Sequence, residues 1–145
     1  MSVVQSYNVG GVIDEIKKIN FPAHLFPRFT KSFTKGFGSG IAVPALPGTY
    51  SVEYVCPTDM ELINISIACS GYRDGDYWEA YSTDPGEPEY CLVETMPTRE
   101  IAESINMGNV LYIVHRLPAG SKVRFDFHNE SGTSKTVWPS LRFLR

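Results

Sequence analysis

Apolar and polar residues alternate along much of the second half of the chain with a period of two, the pattern of a strand with one buried face. Residues 60–69 place on one face the side chains of Ile63, Ile65, Ile67 and Cys69. Residues 122–130 repeat the pattern with an apolar face formed by Val123, Phe125 and Phe127. Both segments therefore predict strands that line a core.

Turn-forming pairs divide the chain from residue 41 onward into segments of strand length. They are Pro47-Gly48, Asp74-Gly75, Pro85-Gly86, Ala119-Gly120 and Ser131-Gly132. Many short strands separated by such turns are typical of a sandwich or a barrel. We therefore predict an all-β fold, with a single β-sandwich of jelly-roll type over residues 41–145.

The last three predicted strands are separated by short loops. They cover residues 110–117, 122–130 and 136–144, and loops of this length suit hairpins. Residues 110–117 are apolar on both faces until His115, which is typical of a central strand covered on both sides or of a strand covered by a neighbouring subunit. We expect these three strands to form an antiparallel meander.

Residues 1–40 differ from the rest and are assigned to an N-terminal arm. Apolar residues at helical spacing predict a short helix over residues 12–20. Further on, an extended conformation would place five residues on one face: Phe29, Lys31, Phe33, Lys35 and Phe37. Such a face could stack on single-stranded nucleic acid or pack on a neighbouring subunit. Because the net charge is −3, we favour an oligomer interface and expect no direct nucleic-acid binding.

Charges are sorted along the chain. Residues 1–40 carry five Lys or Arg and two Asp or Glu, residues 41–110 carry two and twelve, and residues 111–145 carry six and two. In an assembly, the basic ends of one copy would meet the acidic middle of the next. If the fold instead brings the ends against the middle within one subunit, the sorting is internal neutralisation and indicates no partner.

Signatures of catalysis are missing from the sequence. The three cysteines have no CxxC spacing, and the three histidines lie outside hydrolase and zinc-protease motifs. We expect the cysteines to be small buried residues, and we expect no catalytic residue and no enzyme activity. No apolar run approaches the ~20 residues that span a bilayer, so we expect no membrane association, and we also expect no secretory signal.

Asp74-Gly75-Asp76 offers two hard oxygen ligands on a short loop. Asp74 and Asp76 could hold Ca²⁺, although the spacing does not match an EF-hand. The favoured alternative is a hairpin turn in which Asp74-Gly75 adopts the type I′ conformation. The expected cofactor is therefore none, with Ca²⁺ as the alternative.

Tyrosines crowd the acidic middle of the chain. The candidates for ligand binding are Tyr72, Tyr77, Tyr81 and Tyr90. Alternation places Tyr77 and Tyr81 on one face of a strand and Trp78 on the other, so we expect Trp78 to be buried and the tyrosines partly exposed. Exposed rings beside carboxylates suit a sugar, whereas the same rings would also suit a core or a subunit interface.

The stretch GYRDGDYWEAY, the triplet Glu94-Thr95-Met96, the pair Arg99-Glu100 and the C-terminal FDFHNESGTSKTVWPSLRFLR resemble small β-sandwich virion proteins of tailed bacteriophages. The resemblance covers about the last half of the chain. It implies a non-enzymatic subunit of a tail, neck, baseplate or head decoration, present in several copies. The implied location is the virion, after assembly in the host cytoplasm.

These observations favour a structural subunit that associates with itself, or with other virion proteins, through its N-terminal arm. The alternative is a carbohydrate-binding or receptor-binding β-sandwich that uses the tyrosine-rich loops to hold a host-surface glycan, with or without Ca²⁺.

Overall fold

The structure, a computed structural model, describes residues 27–71, 73–98, 103–105 and 115–145. Within these residues ten strands form two antiparallel sheets. The strands are β1 (Ser32–Gly36), β2 (Ile41–Val43), β3 (Gly48–Val55), β4 (Met60–Cys69), β5 (Tyr77–Thr83), β6 (Tyr90–Pro97), β7 (Glu103–Ile105), β8 (His115–Leu117), β9 (Lys122–Asn129) and β10 (Lys135–Leu144). The all-β prediction is confirmed. The helix expected over residues 12–20 lies outside the described residues.

Strand pairing is nested about the β5–β6 hairpin. β4 pairs with β7 and β8, β3 pairs with β9, and β1 and β2 pair with β10. The first sheet has the order β1-β10-β4-β7, with β2 beside β10 and β8 beside β4, and the second has the order β3-β9-β5-β6. A long hairpin folded over in this way is a jelly roll, as predicted.

The expected C-terminal meander is wrong. β8 lies in the first sheet beside β4, β9 lies in the second sheet between β3 and β5, and β10 returns to the first sheet. The short loops cross between layers because β9 and β10 each carry one apolar face, and the two faces are buried when they oppose each other across the sandwich. Residues 110–114, predicted as part of a central strand, lie outside the described residues.

The core lies between the two sheets and follows the alternation seen in the sequence. β5 alternates between half-buried and buried residues from end to end. Trp78 is 0% exposed, so its predicted burial is confirmed, and its ring stacks on that of Phe125 with centroids 5.3 Å apart. The other fully buried aromatic side chains of the described residues are Phe127 and Phe143.

β1 belongs to the first sheet. It pairs with the last five residues of β10, from Ser32 opposite Leu144 to Gly36 opposite Ser140. The predicted domain boundary at residue 41 therefore falls between two strands, β1 and β2, that share β10 as their neighbour.

Candidate functional site

The outer face of the second sheet carries a layer of polar and aromatic side chains, which we call the tyrosine face. It comprises Tyr77, Glu79 and Tyr81 of β5, Arg124, Asp126 and His128 of β9, and Thr49 and Ser51 of β3. Strand register aligns these residues in three rows, because Tyr77, Glu79 and Tyr81 lie opposite His128, Asp126 and Arg124. The alternation that buries Trp78 therefore also assembles this face.

The first row fixes an imidazole between neighbouring strands. The rings of Tyr77 and His128 are stacked, with centroids 4.3 Å apart and planes 16° apart. His128 Nε2 lies 2.8 Å from Glu79 Oε1, and Nδ1 shares a 2.9 Å hydrogen bond with Thr49 Oγ1. Contacts from both sides thus hold the ring in place.

Arg124 organises the remaining rows. Its guanidinium carbon lies 4.7 Å from the centre of the Tyr81 ring, and its two terminal nitrogens donate to the Glu89 carboxylate at 2.6 and 3.1 Å. Nε donates to Asp126 Oδ1 at 3.0 Å, which also accepts from Ser51 Oγ at 2.6 Å. These bonds preorganise the face from three directions.

The tyrosines of this face stay protonated at neutral pH. Burial and the Glu79 carboxylate raise the pKa of Tyr81 to about 12. Burial, Glu130 and Glu79 raise the pKa of Tyr77. The face therefore offers ring surfaces together with fixed donors and acceptors, which is the chemistry that suits a sugar.

The structure does not bring Tyr90 to this face. Tyr90 lies opposite Ser82, which faces the core. Its ring packs edge-on against His115, with centroids 4.9 Å apart. Tyr72 lies outside the described residues. Two of the four tyrosines, Tyr77 and Tyr81, therefore share a surface.

Asp74 and Asp76 have different environments. Asp74 is exposed in the loop before β5, whereas Asp76 is 2% exposed. Asp76 Oδ1 accepts from the Ser131 N–H at 2.9 Å, and Oδ2 accepts from Ser131 Oγ at 3.0 Å and from Lys135 Nζ. Burial by itself would raise the pKa of Asp76, but these partners lower it.

The Asp74-Gly75 turn departs from the type I′ prediction. Gly75 has a φ of +93°, while Thr95 is the one described residue other than glycine with a positive φ. Asp74 therefore has a negative φ. The turn is closed by a hydrogen bond in which the main-chain N–H of Asp76 donates to the carbonyl oxygen of Arg73 at 3.3 Å. This is type II geometry, and it connects strands of different sheets rather than a hairpin.

Calcium binding at Asp74 and Asp76 stays a prediction. A cation there would compete with the Lys135 ammonium for the Asp76 carboxylate. No group of three or more His, Cys, Asp or Glu residues in the described part of the chain is placed to hold a metal ion.

The aromatic residues of the expected arm interface contact the same subunit. Phe33 and Phe37 pack on the main core, and Phe29 packs on Ile63 and Leu144. Phe33 lies 6.3 Å from Phe143, measured between ring centroids. These rings are half-buried before any partner is added.

The two lysines of that segment contribute in different ways. Lys35 Nζ lies 5.3 Å from the Phe37 ring centre and 6.0 Å from that of Tyr54. The main-chain carbonyl oxygen of Lys31 accepts a hydrogen bond from the Arg145 N–H at 2.8 Å. Interaction of this segment with a neighbour stays a prediction.

A buried carboxylate that sequence reasoning missed holds the start of this segment. Glu61 is 0% exposed. Its Oε1 accepts from the N–H groups of Arg28 and Phe29 at 2.7 and 2.9 Å. Its Oε2 accepts from Arg116 Nε at 3.0 Å. The signal in the sequence was weak because a Glu near the start of a strand is normally exposed.

The sorted charges are paired within the subunit. Cationic or histidine side chains of residues 111–145 contact acidic side chains of residues 41–110 in six pairs: His115–Asp84, Arg116–Glu61, Lys122–Glu53, Arg124–Glu89, His128–Glu79 and Lys135–Asp76. The internal-neutralisation interpretation therefore accounts for much of the pattern, and the charge sorting by itself does not indicate a partner.

The cysteines do not share one environment. Cys56 is buried, and burial followed by the nearby Asp84 charge raises the pKa of its thiol to about 11. Cys69 is half-buried, and Cys91 is exposed. The expectation of buried cysteines is confirmed for Cys56, met only in part by Cys69, and wrong for Cys91, which lies on the edge strand β6.

The free edge of β3 is a second candidate site, which sequence reasoning also missed. β3 ends the order of the second sheet, and no described strand pairs with its other side. It pairs with β9 over eight residues without a register shift. Two of the three exposed large hydrophobic residues among those described lie near its ends: Leu46, two residues before β3, is 62% exposed, and Val55, its last residue, is 53% exposed.

Other edges of the sandwich carry features that discourage pairing with another chain. Lys35 lies in β1, and Lys31 directly precedes it. The β5–β6 pairing has two register shifts, β6 ends at Pro97, and Thr95 has a φ of +48°. Lysines, bulges and prolines are the usual protection of sheet edges. β3 itself contains no lysine, proline or register shift, and Pro47 lies directly before it.

The fold defines the protein as a jelly-roll β-sandwich. The sequence profile described as "Domain of unknown function (DUF8551)" matches residues 30–145, and the chain belongs to this family. No curated protein sequence matches it. None of the described residues forms a helix long and apolar enough to cross a membrane.

Solved structures with a similar arrangement include capsid proteins and carbohydrate-binding proteins. The VP2 subviral particle of infectious bursal disease virus is 11% identical with a TM-score of 0.43, covering 85% of this chain and 36% of its own. TmCBM61 in complex with β-1,4-galactotriose is 12% identical with a TM-score of 0.33, covering 81% and 90%. The chain thus spans about a third of the VP2 length.

Proposed function

We propose that this protein is a non-enzymatic structural subunit that associates with further copies of itself through the edge of β3. The carrying observation is a regular eight-residue strand edge that no strand of the described residues pairs with. Exposed Leu46 lies two residues before this strand, and exposed Val55 is its last residue. Unpaired N–H and C=O groups along such an edge are a template for another strand. The resemblance to virion proteins of tailed phages supports a place in a phage particle.

The β3 edge carries this proposal better than the N-terminal segment does. Phe29, Phe33 and Phe37 already contact their own subunit, so a neighbour would cover only what remains of each ring. At the β3 edge, by contrast, no described strand pairs with the outward main-chain groups, and the side chains of Leu46 and Val55 are more than half exposed.

Mass in solution tests self-association. We expect sedimentation equilibrium of the full chain to give a multiple of 16.2 kDa at both low and high salt, because main-chain hydrogen bonds and apolar contacts are little screened by ions. A multimer that dissociates as salt rises would instead favour charge-driven assembly. A monomer at all concentrations and salts would overturn the proposal.

The tyrosine face supports a second candidate function, the binding of a carbohydrate. Tyr77 and Tyr81 are half-buried on one surface beside the fixed carboxylates of Glu79 and Asp126. Ring surfaces next to such acceptors hold sugars by stacking and hydrogen bonds. Both functions are compatible, since the face and the edge involve different groups.

A glycan array tests this second candidate. Tyr81→Ala removes one ring of the face, while Tyr50→Phe removes only a hydroxyl that donates to Leu46 O at 2.8 Å and is the matched control. We expect Tyr81→Ala to lose binding and Tyr50→Phe to keep it. Binding that a chelator abolishes would implicate Ca²⁺ at Asp74 and Asp76. Clean negative results across host-wall glycans would contradict the candidate.

A further inference from the structure

We propose that two copies join in an antiparallel, twofold pairing of their β3 strands, with Val52 of one copy opposite Val52 of the other. This inference rests on the proposed function and adds the partner, the symmetry and the register. The result is an eight-stranded sheet made of two four-stranded sheets, with a tyrosine face from each copy on it.

Main-chain hydrogen bonds show which groups of β3 point away from β9. Just after β3, Cys56 N donates to Ser121 O and Cys56 O accepts from Gly120 N, both at 2.8 Å. Ser121 directly precedes β9, so both groups of Cys56 point toward the β9 side. In an extended strand the direction reverses at each residue. The outward groups therefore belong to Thr49, Ser51, Glu53 and Val55.

These four residues carry eight outward donors and acceptors in a row. Even-numbered residues from Gly48 to Tyr54 direct their groups toward β9. An antiparallel partner strand would form hydrogen-bonded pairs with the odd-numbered residues and non-hydrogen-bonded pairs with the even-numbered ones.

Several registers would keep the tyrosine faces of both copies on the same side of the joined sheet. The residues that each register places opposite each other favour one of them. Centring the twofold axis on Val52 pairs Thr49 with Val55 of the second copy and Ser51 with Glu53, so all four outward residues are used. It also covers the exposed Val55 side chain with a β-branched neighbour. The pairing at the axis joins two valines.

The neighbouring registers are less favourable. Centring the axis on Ser51 places Val55 opposite Pro47 of the second copy, which has no N–H to donate. Centring it on Glu53 opposes two carboxylates directly, and like charges at opposed positions destabilise a sheet. In each copy Lys122 Nζ lies 3.6 Å from Glu53 Oε2, but both side chains are about half exposed, so this ion pair is weak and offsets the repulsion only in part.

Proline at residue 53 tests the edge. Glu53→Pro removes an outward N–H and adds a ring where the second strand would lie. The monomer should tolerate it, because an edge strand accepts proline where the N–H faces solvent. We expect Glu53→Pro to be monomeric under conditions where the wild type is dimeric, and Glu53→Ala, the matched control, to remain a dimer. Circular dichroism and thermal melting check that both variants are folded.

Cysteine cross-linking tests the register. In a background of Cys91→Ser, which removes the exposed thiol, Val52→Cys would place two thiols at a non-hydrogen-bonded pair. There the Cα atoms are ~4.5 Å apart, within the range of a disulfide. We expect Val52→Cys to form a covalent dimer under mild oxidation. Ser51→Cys, which would face Glu53 of the second copy, is expected to remain uncross-linked.

The outcomes separate the inference from the proposed function. A wild type that is monomeric contradicts both. If Glu53→Pro self-associates as well as the wild type, the chain assembles by another surface, and both the β3 edge and the pairing are overturned. If cross-linking occurs through Ser51→Cys rather than Val52→Cys, assembly through the β3 edge stands and only the register proposed here is overturned.

Discussion

Asp76 and Lys135 form an ion pair between the two sheets, with side chains that are 0% and 1% exposed. Asp76 directly precedes β5, and Lys135 begins β10. Because Lys135 and Ser131 lower the pKa of Asp76 below that of an unfolded chain, the pair stabilises the fold at neutral pH. This contribution is lost in acid, as the pH falls through the lowered pKa.

Removing one partner of this ion pair should destabilise the fold. Lys135→Met leaves Asp76 buried without its cation, and we expect a loss of about 3–5 kcal/mol in the free energy of unfolding. Adding Asp76→Asn removes the stranded charge, so the double variant should regain part of the loss. Urea denaturation at pH 7 measures both. A single variant as stable as the wild type would show that the pair contributes little.

His115 should make stability depend on pH in a window of its own. Burial lowers the pKa of His115 from its ordinary value of 6.5, and the Asp84 carboxylate, 3.8 Å away, only partly offsets this. The unfolded chain then binds more protons than the folded one, so the contribution is complete above pH 6.5 and declines as the pH falls through and below that value.

The measurement compares wild type with His115→Gln. We expect the wild type to lose more unfolding free energy than the variant between pH 7 and pH 5, as measured by urea denaturation. Equal losses in the two proteins would contradict the assignment, and a wild type that gains stability in acid would reverse its sign.

Single residues show how far the sequence could be interpreted. Alternation correctly placed Trp78 in the core and Tyr77 and Tyr81 outside, because period-two burial is a local property of one strand. It could not place Tyr90, whose contact with His115 joins segments distant in sequence. The burial of Glu61 depends on three donors from two distant segments, and no local pattern indicates them.

At the scale of elements, one glycine determines the bend between β1 and β2. Gly40 has a φ of +71°, and a Cβ there would lie 2.7 Å from Val137 O and 2.8 Å from Trp138 Cδ1. We expect Gly40→Ala to destabilise the protein by about 2 kcal/mol or more, from left-handed strain and this clash together.

Gly38 is the matched control in the same connection. A Cβ at Gly38 would meet nothing within 4 Å, and its φ is not positive, so Gly38→Ala should change stability by less than about 1 kcal/mol. Thermal melting compares the two variants with the wild type. Equal effects would show that the bend does not depend on Gly40.

Strand positions could largely be predicted from the sequence, but the partners of strands could not. The segments around β4, β9 and β10 were found from alternation and turn residues. Loop length then suggested hairpins, whereas the loops after β8 and β9 cross between layers. A short loop limits the distance between strand ends without specifying whether the next strand lies beside the first or opposite it.

At the scale of the whole molecule, the sorted charges indicate neutralisation within one subunit, whereas the sheet edges indicate where another subunit could pair. The pairing of Arg124 with Glu89 and of Lys135 with Asp76 neutralises basic and acidic segments within one subunit. The sequence showed the sorting but not the proximity of its two signs. Lysines, bulges and proline occur at other edges of the described sandwich, while β3 presents an uninterrupted strand.

Amide exchange along β3 tests the central claim of assembly through this edge most directly. NMR measures exchange at each residue, at a protein concentration that favours association and after dilution. We expect the Ser51 and Glu53 amides to be protected only at high concentration, and those of Val52 and Tyr54, which face β9, to be protected at both. Rapid exchange of Ser51 and Glu53 at every concentration would contradict the account.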